Sequence, residues 1–364
     1  MKQILHVEVN DYNIEISDNE IKTLMSDINS FTAKRRRLFV ISKKVHKLYK
    51  KEFALNKDEV LILPDGEKEK NYKNYLKIIE KAYELGLTRG DIFVAVGGGV
   101  IGDITGFAAA TYMRGIDYIQ IPTTLLAMVD SSVGGKTAIN LADGKNIIGS
   151  FHQPKAVLIN TNFLKTLHKK ELKSGIGEIL KYAFIEESCG YKEPLYLFEY
   201  LTLCCEKFLA LDSVTVARII DYALKLKISV VEKDEKEANL RKILNLGHTL
   251  GHALEEITNY RKFKHGEAVV YGIFFTLYIS YKYDFIDYSY YRLSLELLEK
   301  YGFKNIDIAK AFDTLELLNL MKKDKKSTKD NIILILPNEK KRVKEFKFTE
   351  DELFEYLNNQ ISNF

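Results

Sequence analysis

Three of the chain's seven histidines fall in one short stretch: His248, His252 and His265. His248 and His252 are four residues apart, so on a helix they share a face. A zinc-peptidase helix would carry glutamate directly after the first histidine. Thr249 stands there, which removes that chemistry. His265-Gly266-Glu267 reads as the start of a following helix, and Glu178, after Gly175 and Gly177, as lying near the start of another. Imidazoles plus one carboxylate, with a position left open, form a catalytic zinc-type ligand set. Spacing alone leaves open which imidazoles would ligate. Lys181, Lys227 and Arg241 add cations, with Asn245 one turn before His248. Arginine forks suit carboxylates and lysines suit phosphate, so the set points to a metal beside a multiply anionic substrate. Lys181 lies three residues after Glu178 and is equally placed for a plain helical ion pair.

A second constellation is built on glycine. Gly97-x-Gly99-x-x-Gly102 has the form of a dinucleotide fingerprint, follows a strand-like run and opens a helix. Glycines there let the backbone approach a pyrophosphate at a helix N-terminus, or serve only a tight turn that packing requires. The usual acidic residue about 20 positions on, at the end of the next strand, is missing. That strand ends at Ile121-Pro122-Thr123-Thr124. The expectation is phosphate binding by the turn without ordinary Rossmann topology. Ser132-Val133-Gly134-Gly135-Lys136-Thr137 resembles the end of a P-loop, but Asp130 stands where its first glycine belongs, so an ATPase is excluded. Lys136, Lys145-Asn146 and Arg114-Gly115 add donors for an anion to this half.

The elements that must position these residues change character along the chain. Leu38–Ser42, Val60–Leu63, Ile92–Val96, Tyr118–Ile121 and Ala156–Ile159 are short buried-type strands. Helical periodicity covers Asn71–Leu85 and Ile101–Thr111 between them, which predicts βαβ units and a mostly parallel sheet. From about residue 162 the periodicity is helical: Leu172–Glu187, Asp212–Glu232, Leu250–Thr258, Ala268–Tyr283 and Glu350–Gln360, with one late strand, Ile332–Leu336. The expected fold is therefore an α/β half, 1–161, and a mostly α-helical half, 162–364. No proline-rich or glycine/serine linker parts them, so a broad interface with a ligand cleft is expected.

Composition narrows the function classes. With 54 basic and 50 acidic side chains, a net charge of +4 is too small for a protein that coats nucleic acid by bulk charge. A hydrophobic fraction of 46% supports a core and argues against disorder. No apolar run approaches the ~20 residues of a bilayer span, and the N-terminus lacks the apolar stretch of a signal peptide. Three cysteines give neither a disulfide framework nor a zinc-knuckle spacing. A soluble, cytoplasmic protein with no nucleic-acid or membrane partner is expected.

Taken together, the motifs resemble those of the 3-dehydroquinate synthase family of the shikimate pathway. The matching segments are Asp65-Gly66-Glu67-Lys68-x-Lys70, Gly97 to Asp103, Tyr112-x-Arg114-Gly115, and the run from Pro122 to Thr137. Lys145-Asn146, Gly177-Glu178-x-x-Lys181, Arg241-x-x-Leu244-Asn245-x-Gly247-His248, Gly251-His252 and His265-Gly266-Glu267 continue it. The resemblance implies an N-terminal Rossmann-like NAD-binding domain and a helical metal-binding domain. It implies NAD contacts from Asp65, Gly66, Glu67, Lys68, Glu69 and Lys70, and from Gly99, Val100, Ile101, Gly102 and Asp103. Further contacts would come from Thr123, Thr124, Lys136, Lys145, Phe163, Leu164, Lys165 and Thr166.

Glu178, His248 and His265 are then the implied ligands of one divalent metal, zinc or cobalt, with His252 left to shuttle protons. Lys136, Asn146, Lys181, Lys227, Arg241, Asn245 and Lys325 are implied substrate contacts, and Arg114 would reach the neighbouring site of a homodimer. The implied reaction converts 3-deoxy-D-arabino-heptulosonate 7-phosphate to 3-dehydroquinate and phosphate, a carbon–oxygen lyase step with NAD used catalytically. Ser42-Lys43-Lys44 departs from the family's usual Thr-Asp or Thr-Asn near the adenosine. Leu246 replaces a frequent phenylalanine. Asn239 replaces a common glycine, with asparagine expected to tolerate a left-handed turn there.

Overall fold

Branched and aromatic side chains occupy nearly every position of Leu38–Ile41 and Ile92–Val96, so strands there must be covered on both faces. In the computed structural model, which describes residues 2–5 (backbone only), 11–32, 35–141, 144–323 and 331–359, both runs are fully buried. The chain forms two units: Met1–His168 with Val216–Lys236, and Lys169–Thr215 with Glu237–Phe364. The first unit thus extends past residue 161 and takes back a later segment. Only long-range packing specifies that return, so no linker composition announces it.

In the first unit the elements are β1 (Lys2–Leu5), β2 (Tyr12–Ser17), α1 (Leu24–Thr32), β3 (Arg37–Ser42), α2 (Lys43–Phe53), β4 (Val60–Leu63) and α3 (Tyr72–Glu84). They continue with β5 (Ile92–Gly97), α4 (Gly99–Thr111), β6 (Asp117–Pro122), β7 (Lys136–Leu141), β8 (Gly144–Phe151) and β9 (Ala156–Asn160). Among the described residues, seven strands form one sheet in the order β1-β2-β9-β6-β5-β3-β4. All its pairings are parallel except β1 with β2. Val94 of β5 sits between Phe39 of β3 and Ile119 of β6. The chain moves outward from β3 to β4 and returns to the other side of β3 as β5. That reversal opens a crevice at the carboxyl ends of β3 and β5, where ligands bind in open α/β sheets. Ser42 and Gly97 end those two strands. Sequence periodicity does not resolve the antiparallel hairpin β7–β8, which begins inside the P-loop-like run at Lys136.

The second unit holds α5 (Lys169–Cys189), α6 (Leu197–Leu209), α8 (His248–Ile257), α9 (His265–Lys282), α10 (Tyr288–Lys300), α11 (Ile308–Ala311), α12 (Thr314–Lys322), the antiparallel pair β10 (Ile332–Glu339) and β11 (Arg342–Phe348), and α13 (Glu350–Asn359). Helix α7 (Ser213–Val231) belongs to the first unit from Val216 onward. Helix α9 is apolar around most of its circumference and is correspondingly buried. Leu250, Leu254, Phe275, Ile279, Leu317, Leu334 and Leu353 form a shared core around it. Among the described residues no helix is long and apolar enough to cross a membrane.

Candidate active site

Three glycines, each adjacent to one of the polar residues singled out above, let the helices of the second unit touch through their backbones. A Cβ on Gly177 would lie 2.2 Å from the carbonyl oxygen of Gly266, and one on Gly266 would lie 1.8 Å from that of Ser174. Gly266 N–H donates to Ser174 Oγ at 3.0 Å across the same crossing. Gly247, at φ +77°, starts α8 against Val269 and Ile273 of α9. The result is that Glu178 of α5, His248 of α8 and His265 of α9 converge. Glu178 is fully buried, with Oε1 3.7 Å from His248 Nε2 and 3.5 Å from His265 Nε2. Their ligand atoms lie within 4.8 Å of one another. Glu178 sits in the middle of α5, not near a helix start, because Gly175 and Gly177 lie inside the helix, Gly177 where α9 crosses it.

The backs of both rings are engaged. His248 Nδ1 is 3.1 Å from the Leu246 carbonyl, which can only accept, so Nδ1 carries hydrogen and the Nε2 lone pair faces Glu178. His265 Nδ1 is 3.0 Å from Glu255 Oε2. Burial, reinforced by the Lys181 charge and then by His265 and His252, holds the His248 pKa well below the ordinary imidazole value. Glu178 Oε1 is buried without a hydrogen-bond partner, whereas Oε2 pairs with Lys181. The helical ion pair open to Lys181 on sequence grounds is therefore made. His252 is exposed, its ring 5.4 Å from that of His248 and 5.8 Å from that of His265.

Arg241, 2% exposed, and Asn245 lie on the 240–245 turn leading into His248. Asn245 Nδ2 donates to Glu237 Oε1 at 2.9 Å. Asn239 precedes this turn at φ −140°, so the left-handed conformation expected there is not adopted. Leu246 is fully buried. Lys325 lies outside the described residues.

In the first unit, Lys70 joins two segments singled out in the sequence: its ammonium pairs with Asp103 and donates to Asn146 Oδ1 at 2.5 Å. Burial, the larger influence, raises the Asp103 pKa, while Lys70 opposes it. Asn140, to which sequence reasoning gave no role, ties the hairpin to the 65–70 turn. It donates to Glu67 Oε1 at 2.7 Å and accepts from Asn146 N–H at 2.9 Å. Lys136 is exposed and Lys145 half-buried on that hairpin. Lys227, 4% exposed on α7, donates to Asp130 Oδ1 at 2.7 Å.

Helix α4 starts at Gly99 with no side-chain cap and no acid in its first turn, and Gly98, Gly99 and Val100 are half-buried. The fingerprint glycines also answer packing: a Cβ on Gly102 would lie 2.4 Å from Gln120 Oε1, and one on Gly99 2.8 Å from Ser131 Oγ. Ile101 is buried, Thr123 is buried and Thr124 Oγ1 accepts from Ala127 N–H. Phe163 and Leu164 are each 2% exposed, with Phe163 packing on Tyr49 and Phe53. Lys165, Thr166, Lys68, Asp65 and Gly66 are exposed, Glu67 and Glu69 half-buried. Arg114 is exposed at φ +65°.

A mostly parallel sheet with a glycine-rich strand-to-helix turn, together with a helical unit carrying a glutamate and two histidines, is a fold that the chain shares with solved synthases. A 2-deoxy-scyllo-inosose synthase solved with carbaglucose-6-phosphate, NAD+ and Co2+ superposes with a TM-score of 0.82 at 23% identity, covering 99% of both chains. The 2-epi-5-epi-valiolone synthase of Streptomyces hygroscopicus subsp. jinggangensis 5008, solved with NAD+ and Zn2+, gives 0.84 at 21% identity over 100% of both. At those identities the likeness is one of fold. The particular family follows from sequence: residues 60–174 match the 3-dehydroquinate synthase N-terminal family and residues 175–327 the 3-dehydroquinate synthase C-terminal family. The 3-dehydroquinate synthase of Alkaliphilus metalliredigens (strain QYMF) is 46% identical over 299 residues, 82% of each chain. The chain belongs to the 3-dehydroquinate synthase family.

Proposed function

We propose that the chain converts 3-deoxy-D-arabino-heptulosonate 7-phosphate to 3-dehydroquinate and phosphate, as a carbon–oxygen lyase of the shikimate route to chorismate. NAD and one divalent metal, zinc or cobalt, are its cofactors. The observation that carries this reading, in a member of this family, is the buried Glu178 oxygen that lacks a hydrogen-bond partner and is faced by two Nε2 atoms.

The donor set fits a divalent metal, since one carboxylate and two imidazoles leave room for substrate oxygens. When bound, the metal supplies a Lewis acid that eases loss of a proton from a substrate hydroxyl. The uncapped start of α4 fits the diphosphate of NAD, whose charge suits a helix N-terminus. When bound, NAD supplies reversible hydride acceptance at the substrate's C5. The net reaction expels phosphoric acid without net oxidation, so every hydride removed is returned.

The chain's own residues hold the substrate and move its protons. Lys181, Arg241 and Asn245 in the helical unit, and Lys136, Asn146 and Lys227 in the other, are the donors assigned to its phosphate, carboxylate and hydroxyls. Lys325 is assigned the phosphate as well. His252, exposed beside the two ligand rings, is the group placed to accept and return protons. Fixing the substrate in this way can supply on the order of 7–11 kcal/mol in the best intramolecular cases. The chain acts in the cytoplasm as a homodimer, with Arg114 directed to the partner's site.

The test is phosphate release from the heptulosonate phosphate with sub-stoichiometric NAD, with and without a chelator. Many phosphates per NAD, abolished by chelation and restored by zinc or cobalt, are expected. Stoichiometric NADH without phosphate would make the protein a dehydrogenase instead.

A further inference from the structure

The ring behind which the two histidines differ is His265. It is the first residue of α9, its side chain is 30% exposed, and a single-bond rotation would turn Nε2 away from Glu178. His248 has no such freedom: its side chain is 12% exposed and its Nδ1 is tied to a carbonyl two residues away on its own chain segment. His265 Nδ1 is instead held at 3.0 Å by Glu255 Oε2, from the last turn of α8, and the Glu255 side chain is only 6% exposed. Glu255 lies three residues after His252, so one turn of α8 carries both.

We infer that Glu255 is the positioning residue that fixes His265 for metal binding, holding hydrogen on Nδ1 and aiming Nε2 at the position shared with Glu178. With Nδ1 donating to the carboxylate at 3.0 Å, the Nε2 lone pair is left for the metal. A carboxylate behind the ring also makes Nε2 a stronger donor than the Leu246 carbonyl makes that of His248. The inference rests on the proposed metal at Glu178, His248 and His265. A rival arrangement exists, because Glu255, His252 and His265 also bring ligand atoms within 4.8 Å of one another. There Glu255 would be a ligand itself.

The experiment measures zinc affinity of the full-length metal-free protein by competition with a chromophoric chelator, and the visible spectrum of its cobalt(II) form. Glu255→Gln should weaken zinc binding roughly 10–100-fold and shift the cobalt bands, as loss of an outer carboxylate does. Glu256→Gln, at an exposed neighbour, should leave both unchanged, and Glu255→Asp should recover part of the affinity. Glu178→Gln separates the two claims. If it abolishes binding while Glu255→Gln binds zinc like the wild type, the inference about Glu255 is overturned and the metal site stands. If Glu178→Gln leaves zinc bound, the metal site itself is wrong, and the Glu255 role with it. Should Glu255→Gln not fold, the ring nitrogen shifts of His265 in the zinc-bound unsubstituted protein decide: Nε2 on the metal with hydrogen on Nδ1 is required, and Nδ1 on the metal refutes it.

Discussion

The two units hold their polar groups by opposite means. In the helical unit Glu178 is buried where α5 and α9 touch through glycine backbones, so its place is set by the crossing itself. In the α/β unit Lys70, Asp103, Asn140 and Asn146 are placed by hydrogen bonds between a turn, a helix and a hairpin, and Asn146 is exposed. Backbone contact leaves no slack for a side chain to yield, whereas a bridge of side chains can lose a member and relax. The helical half should therefore fail abruptly under substitution and the other half by degrees.

The largest expected effect is on chemistry. Glu178→Gln keeps the volume but removes the charge from the proposed ligand set. It should lower kcat/KM about a thousandfold, or ~4 kcal/mol, together with the stoichiometry of bound metal. A variant with unchanged turnover would mean the convergence of α5, α8 and α9 has no catalytic purpose. Next in size is a pair of glycine substitutions read by urea unfolding. Gly266→Ala puts a Cβ 1.8 Å from backbone, which neither helix can rotate away, and should cost about 3 kcal/mol or more. Gly66→Ala meets nothing within 4 Å and is penalised only for its backbone at φ +112°, about 1–3 kcal/mol. Equal losses would dissolve the contrast between the units.

A third test compares Glu178 with Glu186, another buried carboxylate on α5. Glu186 is 1% exposed and accepts the Leu197 and Phe198 N–H groups at the start of α6, at 2.6 and 3.3 Å. Burial outweighs those bonds and lifts its pKa from 4.5 to about 7. A raised acid binds its proton more tightly when folded, so between those values the native state holds more protons than the unfolded one. Stability should then fall as pH rises from 4.5 to about 7, by at most about 3 kcal/mol. Glu186→Gln should flatten that part of the pH–stability curve, and an unchanged slope would place the ionisation elsewhere.

What could be read from sequence was type and spacing. The histidines, the strand-to-helix glycine turn, the parallel sheet and the helical second half are all carried by local pattern. Glycine was harder, since the same residue marks a break and a helix crossing. Gly175 and Gly177 put Glu178 near an expected helix start when they lie inside α5. Glu255 gave a weak local signal, a carboxylate one turn after His252, but its partner His265 lies across a loop. Asn140 and the β7–β8 hairpin carry no local signal, because Gly134-Gly135-Lys136 has the form of an anion turn and strand pairing is non-local. The return of Val216–Lys236 to the first unit rests on the same kind of information, as does the Lys227–Asp130 pair that accompanies it.

The smallest effect belongs to the departure at Ser42. Its Oγ accepts from Val45 N–H at 3.3 Å, capping α2, and donates to Asp65 Oδ1 at 2.6 Å, while Lys44 N–H reaches Asp65 Oδ2 at 3.0 Å. Both oxygens of Asp65 are thus engaged by the first turn of α2, where a carboxylate also suits the helix dipole. Ser42→Ala removes the cap and one of these bonds and should cost about 1 kcal/mol in unfolding. Because the main-chain bond from Lys44 remains, Asp65 should stay near the strand ends, and the KM for NAD should change less than about threefold, or ~0.7 kcal/mol. A rise of tenfold or more would show that the serine hydroxyl itself positions the dinucleotide, making this half of the molecule as sensitive to a single side chain as the helical one.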